Sequence, residues 1–208
     1  MTYEFIAVDA TSATVALQWE KKQIPFTVSF DVPEIVLEDI SNKLRDQTGF
    51  NRQAWEQAAQ YALANGKHEQ ALDWINNAQA GWFFSEKNFG NASIKAAALE
   101  QLGRSADADA EMESVFDQAT VLELHQYGRQ LIAQGKQQRA LEVFQTNAAK
   151  NKGVWPTNYG LARGYSAIGD SKTALKHLKK ALANAPNEAS KDRVAANITK
   201  LENGESIN

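Results

Sequence analysis

Two arginines, Arg129 and Arg163, stand 34 residues apart, and each lies six residues before a glycine, Gly135 or Gly169. A guanidinium is a planar fork of donors that matches a carboxylate. A recurring arginine is therefore chemistry for holding an anionic group, not for transforming one. Little else in the chain could carry catalysis. His68 falls in a turn and His177 among lysines. His125 follows Glu123 by two residues, a spacing that points the side chains to different faces of a helix. There is no His-x-x-x-His and no cysteine, so neither a metal-ligand set nor thiol chemistry is expected. In the acidic run Asp107, Asp109, Glu111 and Glu113, alternate residues point in different directions on a helix, and a solvated face is expected. Gly-x-Ser-x-Gly and phosphate-binding glycine loops are absent. The expectation is a non-catalytic chain with no cofactor and no metal.

The elements that position the arginines are periodic. Gly66, Gly103, Gly135 and Gly169 recur at intervals of 37, 32 and 34 residues. Five residues after each comes an alanine: Ala71, Ala108, Ala140 and Ala174. Nine after comes a larger apolar residue: Ile75, Met112, Phe144 and Leu178. Each glycine reads as a break between two helices, since it adopts a positive φ at little cost. The alanine lets the second helix approach the first, and the large residue one turn on fills the seam between them. The helices predicted from this pattern are 51–64 with 68–80, 89–102 with 105–117, 120–133 with 137–150, and 156–168 with 171–184.

These positions resemble the tetratricopeptide repeat (TPR). The fourth copy carries the resemblance best, with Leu161, Ala162, Tyr165, Gly169, Ala174, Leu178, Ala181 and Pro186 in register. The third has Tyr127, Gly128, Leu131, Gly135, Ala140 and Phe144 but Asn147 and no closing proline. The first has Trp55, and the second places Lys95 where leucine is usual. Four copies in series at one period mark a repeat architecture. The resemblance implies a mainly α fold: a TPR-like α–α superhelix of four helix pairs over residues 50–186, with a capping helix and tail over 187–208. Val194, Ile198 and Leu201 mark the apolar stripe of that cap.

A short antiparallel β segment precedes the helices. Over residues 1–31, Val15, Leu17 and Trp19, and then Ile24, Phe26, Val28 and Phe30, alternate with other residues. That period of two predicts strands with one buried face. Thr14-Val15-Ala16-Leu17, Trp19-Glu20-Lys21 and Ile24-Pro25-Phe26 resemble the last strands of a small all-β domain of unknown function found in exported bacterial proteins. That resemblance implies that residues 1–31 close a larger β domain and that the setting is exported or periplasmic, although no signal peptide is visible at Met1-Thr2-Tyr3-Glu4. Residues 32–49 form a linking helix, with Asp31 as its cap, Val36, Ile40 and Leu44 on one face, and Gly49 at its end. Gly81-Trp82-Phe83-Phe84-Ser85 is expected to plug the seam after the first pair.

In the repeat family the first helix of each pair lines a concave groove. Its inward positions would be Gln60, His125, Arg129, Tyr159 and Arg163, so the resemblance implies a peptide-binding groove taking a protein or acidic peptide. Charge is uneven: residues 1–120 carry nine Lys and Arg against eighteen Asp and Glu, and residues 121–208 thirteen against seven. A self-association module, through these opposed charges or an open strand edge, is the second reading; the chain would be a monomer or weak homo-oligomer. The third is a helical appendage of an enzyme or binding domain. Lys172, Lys176, Lys179 and Lys180 have no interleaved aromatics, so no nucleic-acid partner is expected. No apolar run is long enough to span a membrane.

Overall fold

The structure is a computed structural model that describes all 208 residues. The chain forms two compact units, residues 1–115 and residues 116–208. In the first, strands β1 (Thr2–Val8), β2 (Ser12–Trp19) and β3 (Lys22–Ser29) form an antiparallel sheet in that order. Helix α1 (Val32–Lys43), a 3-10 turn (Gln47–Phe50), α2 (Arg52–Ala64), α3 (His68–Gln79), α4 (Phe89–Gln101) and α5 (Ser105–Glu113) follow. The second unit contains α6 (Val121–Ala133), α7 (Gln137–Lys150), α8 (Trp155–Ala167), α9 (Ser171–Ala183) and α10 (Glu188–Glu202). The molecule is mainly helical, and α2/α3, α4/α5, α6/α7 and α8/α9 are packed pairs.

The glycine ladder is a repeated backbone event. Gly66, Gly103, Gly135 and Gly169 have φ of 74°, 73°, 77° and 85°. After each, the next residue donates its N–H to the carbonyl five residues back: Lys67 to Ala62, Arg104 to Leu99, Lys136 to Leu131 and Asp170 to Tyr165. These bonds satisfy carbonyls that the last helical turn leaves open. A Cβ at any of the four would meet nothing within 4 Å, so glycine is needed for its dihedral angles, not for room. Ala71, Ala108, Ala140, Ala174, Ile75, Met112, Phe144 and Leu178 are all buried, as the spacing predicts. The ladder also has a fifth rung. Gly204 has φ of 81°, and Glu205 donates to Lys200 in the same way. Helix α10 therefore ends as the first helix of a pair does.

Several local expectations are corrected. Helix α5 ends at Glu113, not 117. Helix α1 is capped by Asp31, whose side chain accepts from the Glu34 N–H, but it ends at Lys43 and Leu37 is its fully buried residue. Gly49 lies in the 3-10 turn after it, where a Cβ would sit 1.9 Å from the Leu44 carbonyl oxygen; close backbone approach requires it, not a helix stop. The aromatic run is no plug: Trp82 is 52% and Phe83 85% exposed.

The sheet departs furthest from expectation. Cross-strand partners share a face. Tyr3–Leu17–Ile24, Phe5–Val15–Phe26 and Val8–Ala13–Val28 line one face, and Thr2–Gln18–Gln23, Glu4–Ala16–Pro25 and Ala7–Thr14–Thr27 the other. A register shift between Phe5 and Ala7 keeps Val8 with the apolar set. The alternation is amphipathic as predicted, but its apolar face is open, with Phe5 69% exposed.

Candidate functional site

The site is built on α6 and α8 in the second unit. Thr120 and Glu123 start α6 as a reciprocal cap: the Thr120 side chain accepts from the Glu123 N–H, and the Glu123 carboxylate accepts from the Thr120 N–H at 2.7 Å. That role occupies Glu123 and separates it from His125. Pro156 stands in the first turn of α8, where its missing N–H costs nothing. The two helices meet around Phe144 of α7. A Cβ at Gly128 would lie 2.5 Å from the phenyl ring and one at Gly160 would lie 2.6 Å from it. The absent side chains let α6 and α8 close on that ring, which sets the spacing of the residues they display.

An aromatic stack follows along the seam. Tyr159 lies nearly parallel to His125, with centroids 6.1 Å apart, and to Trp155, 5.3 Å away. The Arg163 guanidinium carbon sits 5.3 Å from the Tyr159 ring centroid, within cation–π range. Tyr159 is only 4% exposed, and its hydroxyl accepts from Asn197 Nδ2 of α10 at 2.8 Å. It was expected on the open groove surface; instead it is a packed platform that orients Arg163. The Trp155 Nε1, Arg163 Nε and His125 Nδ1 atoms are buried without hydrogen-bond partners.

Burial holds the His125 imidazole at a pKa of about 4, with Arg163 and then Arg129 reinforcing the drop and a backbone hydrogen bond at Pro156 opposing it. His125 is therefore neutral at pH 7. It adds no third positive charge to the two arginines.

Arg129 and Arg163 border a cleft of about 530 Å³, lined also by Gln126, Gln130, Ile132 and Asn208. Arg129 is exposed and makes no ion pair. Arg163 is half-buried and donates from Nη1 to Asn208 Oδ1 at 3.4 Å, while Asn208 Nδ2 donates to the Arg163 carbonyl at 3.1 Å. Ile207 anchors this tail by burial against Tyr159, Val194 and Leu201. The structure thus places His125 and Arg163 against Tyr159 and Arg129 with Arg163 at the cleft. Gln60 lies exposed on α2 of the first unit, and the cleft is confined to the second. Sequence reasoning missed Trp155 and Asn208. Trp155 stands one helical turn before Tyr159 and could have been found from that spacing; nothing local points to Asn208.

No family model matches the chain, and no curated protein does. Solved structures do. One is the C-terminal part of a TPR repeat-containing protein from Cytophaga hutchinsonii, with a TM-score of 0.55 and 15% identity, covering 83% of this chain and 67% of that one. Others are YrrB, described as a TPR protein with an unusual peptide-binding site (TM-score 0.46, 18% identity, 79% of this chain and 84% of that one), and MamA (0.48, 13%, 78% and 99%). At such identities the likeness establishes the fold and nothing about a ligand.

Proposed function

From the tetratricopeptide-type fold as premise, we propose that the chain is a non-catalytic scaffold that binds an acidic peptide at the cleft between Arg129 and Arg163. The observation that carries this is the charge of the cleft. Two guanidiniums border one cleft with no carboxylate paired to either, and the histidine that feels both charges is neutral. Arg163 is held on the Tyr159 platform, so little side-chain freedom is lost on binding. Its bond to the uncharged Asn208 amide is long at 3.4 Å, and a ligand carboxylate, carrying the opposite charge, is a stronger acceptor.

The test is an array of acidic hexapeptides against neutral scrambled controls, followed by anisotropy titration of the best binder. The Arg129→Ala/Arg163→Ala double variant should bind about a hundredfold more weakly, from two charge-assisted contacts. Its melting temperature should stay within a few degrees of wild type. Equal binding by the variant, or no preference for acidic over neutral peptides, refutes the cleft as the site.

A second reading rests on the open sheet. Tyr3, Phe5, Val8, Trp19, Ile24, Phe26 and Val28 are each about half exposed or more, and they offer on the order of 700 Å² of apolar surface, close to one partner's share of a standard interface. Three strands open on their apolar face are marginal alone. We infer that a second copy covers the face, packing sheet on sheet. Light scattering should give twice 22.9 kDa, and Phe5→Asp/Phe26→Asp should return the monomer mass. A wild-type monomer overturns this and favours other β-structure of a longer polypeptide as the cover.

A further inference from the structure

The aromatic run after α3 builds a second pocket, in the first unit. Phe50, Trp55, Trp82 and Phe84 wall a cavity of about 400 Å³, closed below by Leu44 and Gly49 and bordered by Arg45 and Asp46. Trp82 lies parallel to Phe84 with centroids 6.0 Å apart, and Phe83 meets Phe84 edge-on at 5.4 Å while stacking on Phe50 at 6.2 Å. These contacts hold four rings in place although three of them, Phe50, Trp82 and Phe83, are largely exposed. Exposed aromatic surface of this extent is uncommon without an occupant.

The chemistry of the walls restricts that occupant. Both indole N–H groups are already used: Trp55 Nε1 donates to the Gly49 carbonyl at 2.8 Å, and Trp82 Nε1 to Asn77 Oδ1 at 3.2 Å. The tryptophans therefore present ring faces, which carry negative potential, and no free donor for an anion. Asp46 starts the 3-10 turn without a side-chain cap bond, and its carboxylate has no ion-pair partner. The first unit as a whole, residues 1–115, carries nine Lys and Arg against seventeen Asp and Glu, a net of −8, which favours cations over anions. Arg45 opposes this at the mouth, but its long exposed side chain can swing into solvent, whereas the shorter Asp46 side chain stays near the mouth because its backbone is held by hydrogen bonds to Lys43 and Gly49.

We propose that this pocket binds an alkylammonium group, with the ammonium against the indole and phenyl faces and Asp46 as its counter-charge. The size suits either a lysine side chain with its flanking backbone or a small quaternary amine. The site is independent of the arginine cleft and selects the opposite charge, so the two can fail separately.

The test is titration of the full chain, ¹⁵N-labelled at tryptophan, with choline, with its neutral isostere 3,3-dimethyl-1-butanol, and with capped lysine (Nα-acetyl-lysine methylamide). Choline or capped lysine should shift the Trp55 and Trp82 indole signals and leave Trp74 unmoved; the tighter of the two names the source. The isostere should bind about fivefold more weakly. Asp46→Asn should weaken the cations but not the isostere, and Trp82→Ala, at an exposed position, should abolish the shifts with the fold intact. An isostere that binds as tightly as choline would make this a plain apolar cleft, and unmoved indole signals would mean no site at all; either result overturns the proposal.

Discussion

Phe144→Ala is expected to destabilise the second unit by about 3–5 kcal/mol, the range for emptying a fully buried phenylalanine site. Phe144 is 1% exposed, and its ring is the surface on which α6 and α8 both close. Collapse cannot fill the hole easily, because the facing positions on both helices are glycines. Those glycines make the prediction sharper. Gly128→Ala alone places a methyl group 2.5 Å from the ring and should cost about 1–3 kcal/mol by overpacking. In the Phe144→Ala background the same methyl enters the vacated space, so its cost should vanish or change sign. Denaturant unfolding of the two single variants and the double variant measures this coupling. Additive losses would show that the ring and the helix spacing are not linked as described.

Acid should weaken the fold through His125. Its folded pKa of about 4 lies below the ordinary value of 6.5, so between these values the unfolded chain binds more protons than the native one. Stability is then complete above about pH 6.5, falls as pH drops towards 4, and levels off below that. The full loss is on the order of 3 kcal/mol. His177 is shifted in the same direction, by burial first and then Lys180 and Lys176, so it adds to the slope. A His125→Gln variant should lose distinctly less stability than wild type between pH 7 and pH 4.5 in paired unfolding curves, since the carboxylates that also titrate there are common to both. Parallel curves would place the acid sensitivity elsewhere. Protonating His125 adds positive charge near Arg163 and Arg129, so an acidic ligand that remains ionised should bind more tightly as pH falls towards 4.

The helix pairs were legible because their determinants are local. A positive-φ glycine, an alanine five residues on and a large apolar residue nine residues on each act within one hairpin, and the period repeats the message. The ladder is legible in sequence as far as Gly169; Gly204 joins it through its backbone angle and the Glu205-to-Lys200 bond. The β strands were equally legible, since alternation is a property of single strands.

The failures share one cause. Whether an apolar face is covered depends on what lies across from it, and residue order along a strand or loop carries no record of that. The sheet was expected to bury its apolar face and the Trp82–Phe84 run to fill a seam, yet both stand open. Tyr159 was expected to be open, and α10 covers it. Its offset from the ladder glycine was read correctly; the neighbour that buries it arrives 38 residues later, through Asn197.

The sequence by itself determined the periodic helix hairpins, the amphipathic strands and the spacing of Arg129 and Arg163. Tertiary structure alone decided that these arginines share a cleft with Asn208, that His125 is buried neutral near them, and that four aromatic rings enclose a pocket beside Asp46. Backbone conformation answers to neighbours a few residues away, whereas desolvation, charge pairing and cavity shape answer to whichever distant side chains the packing brings within a few ångströms.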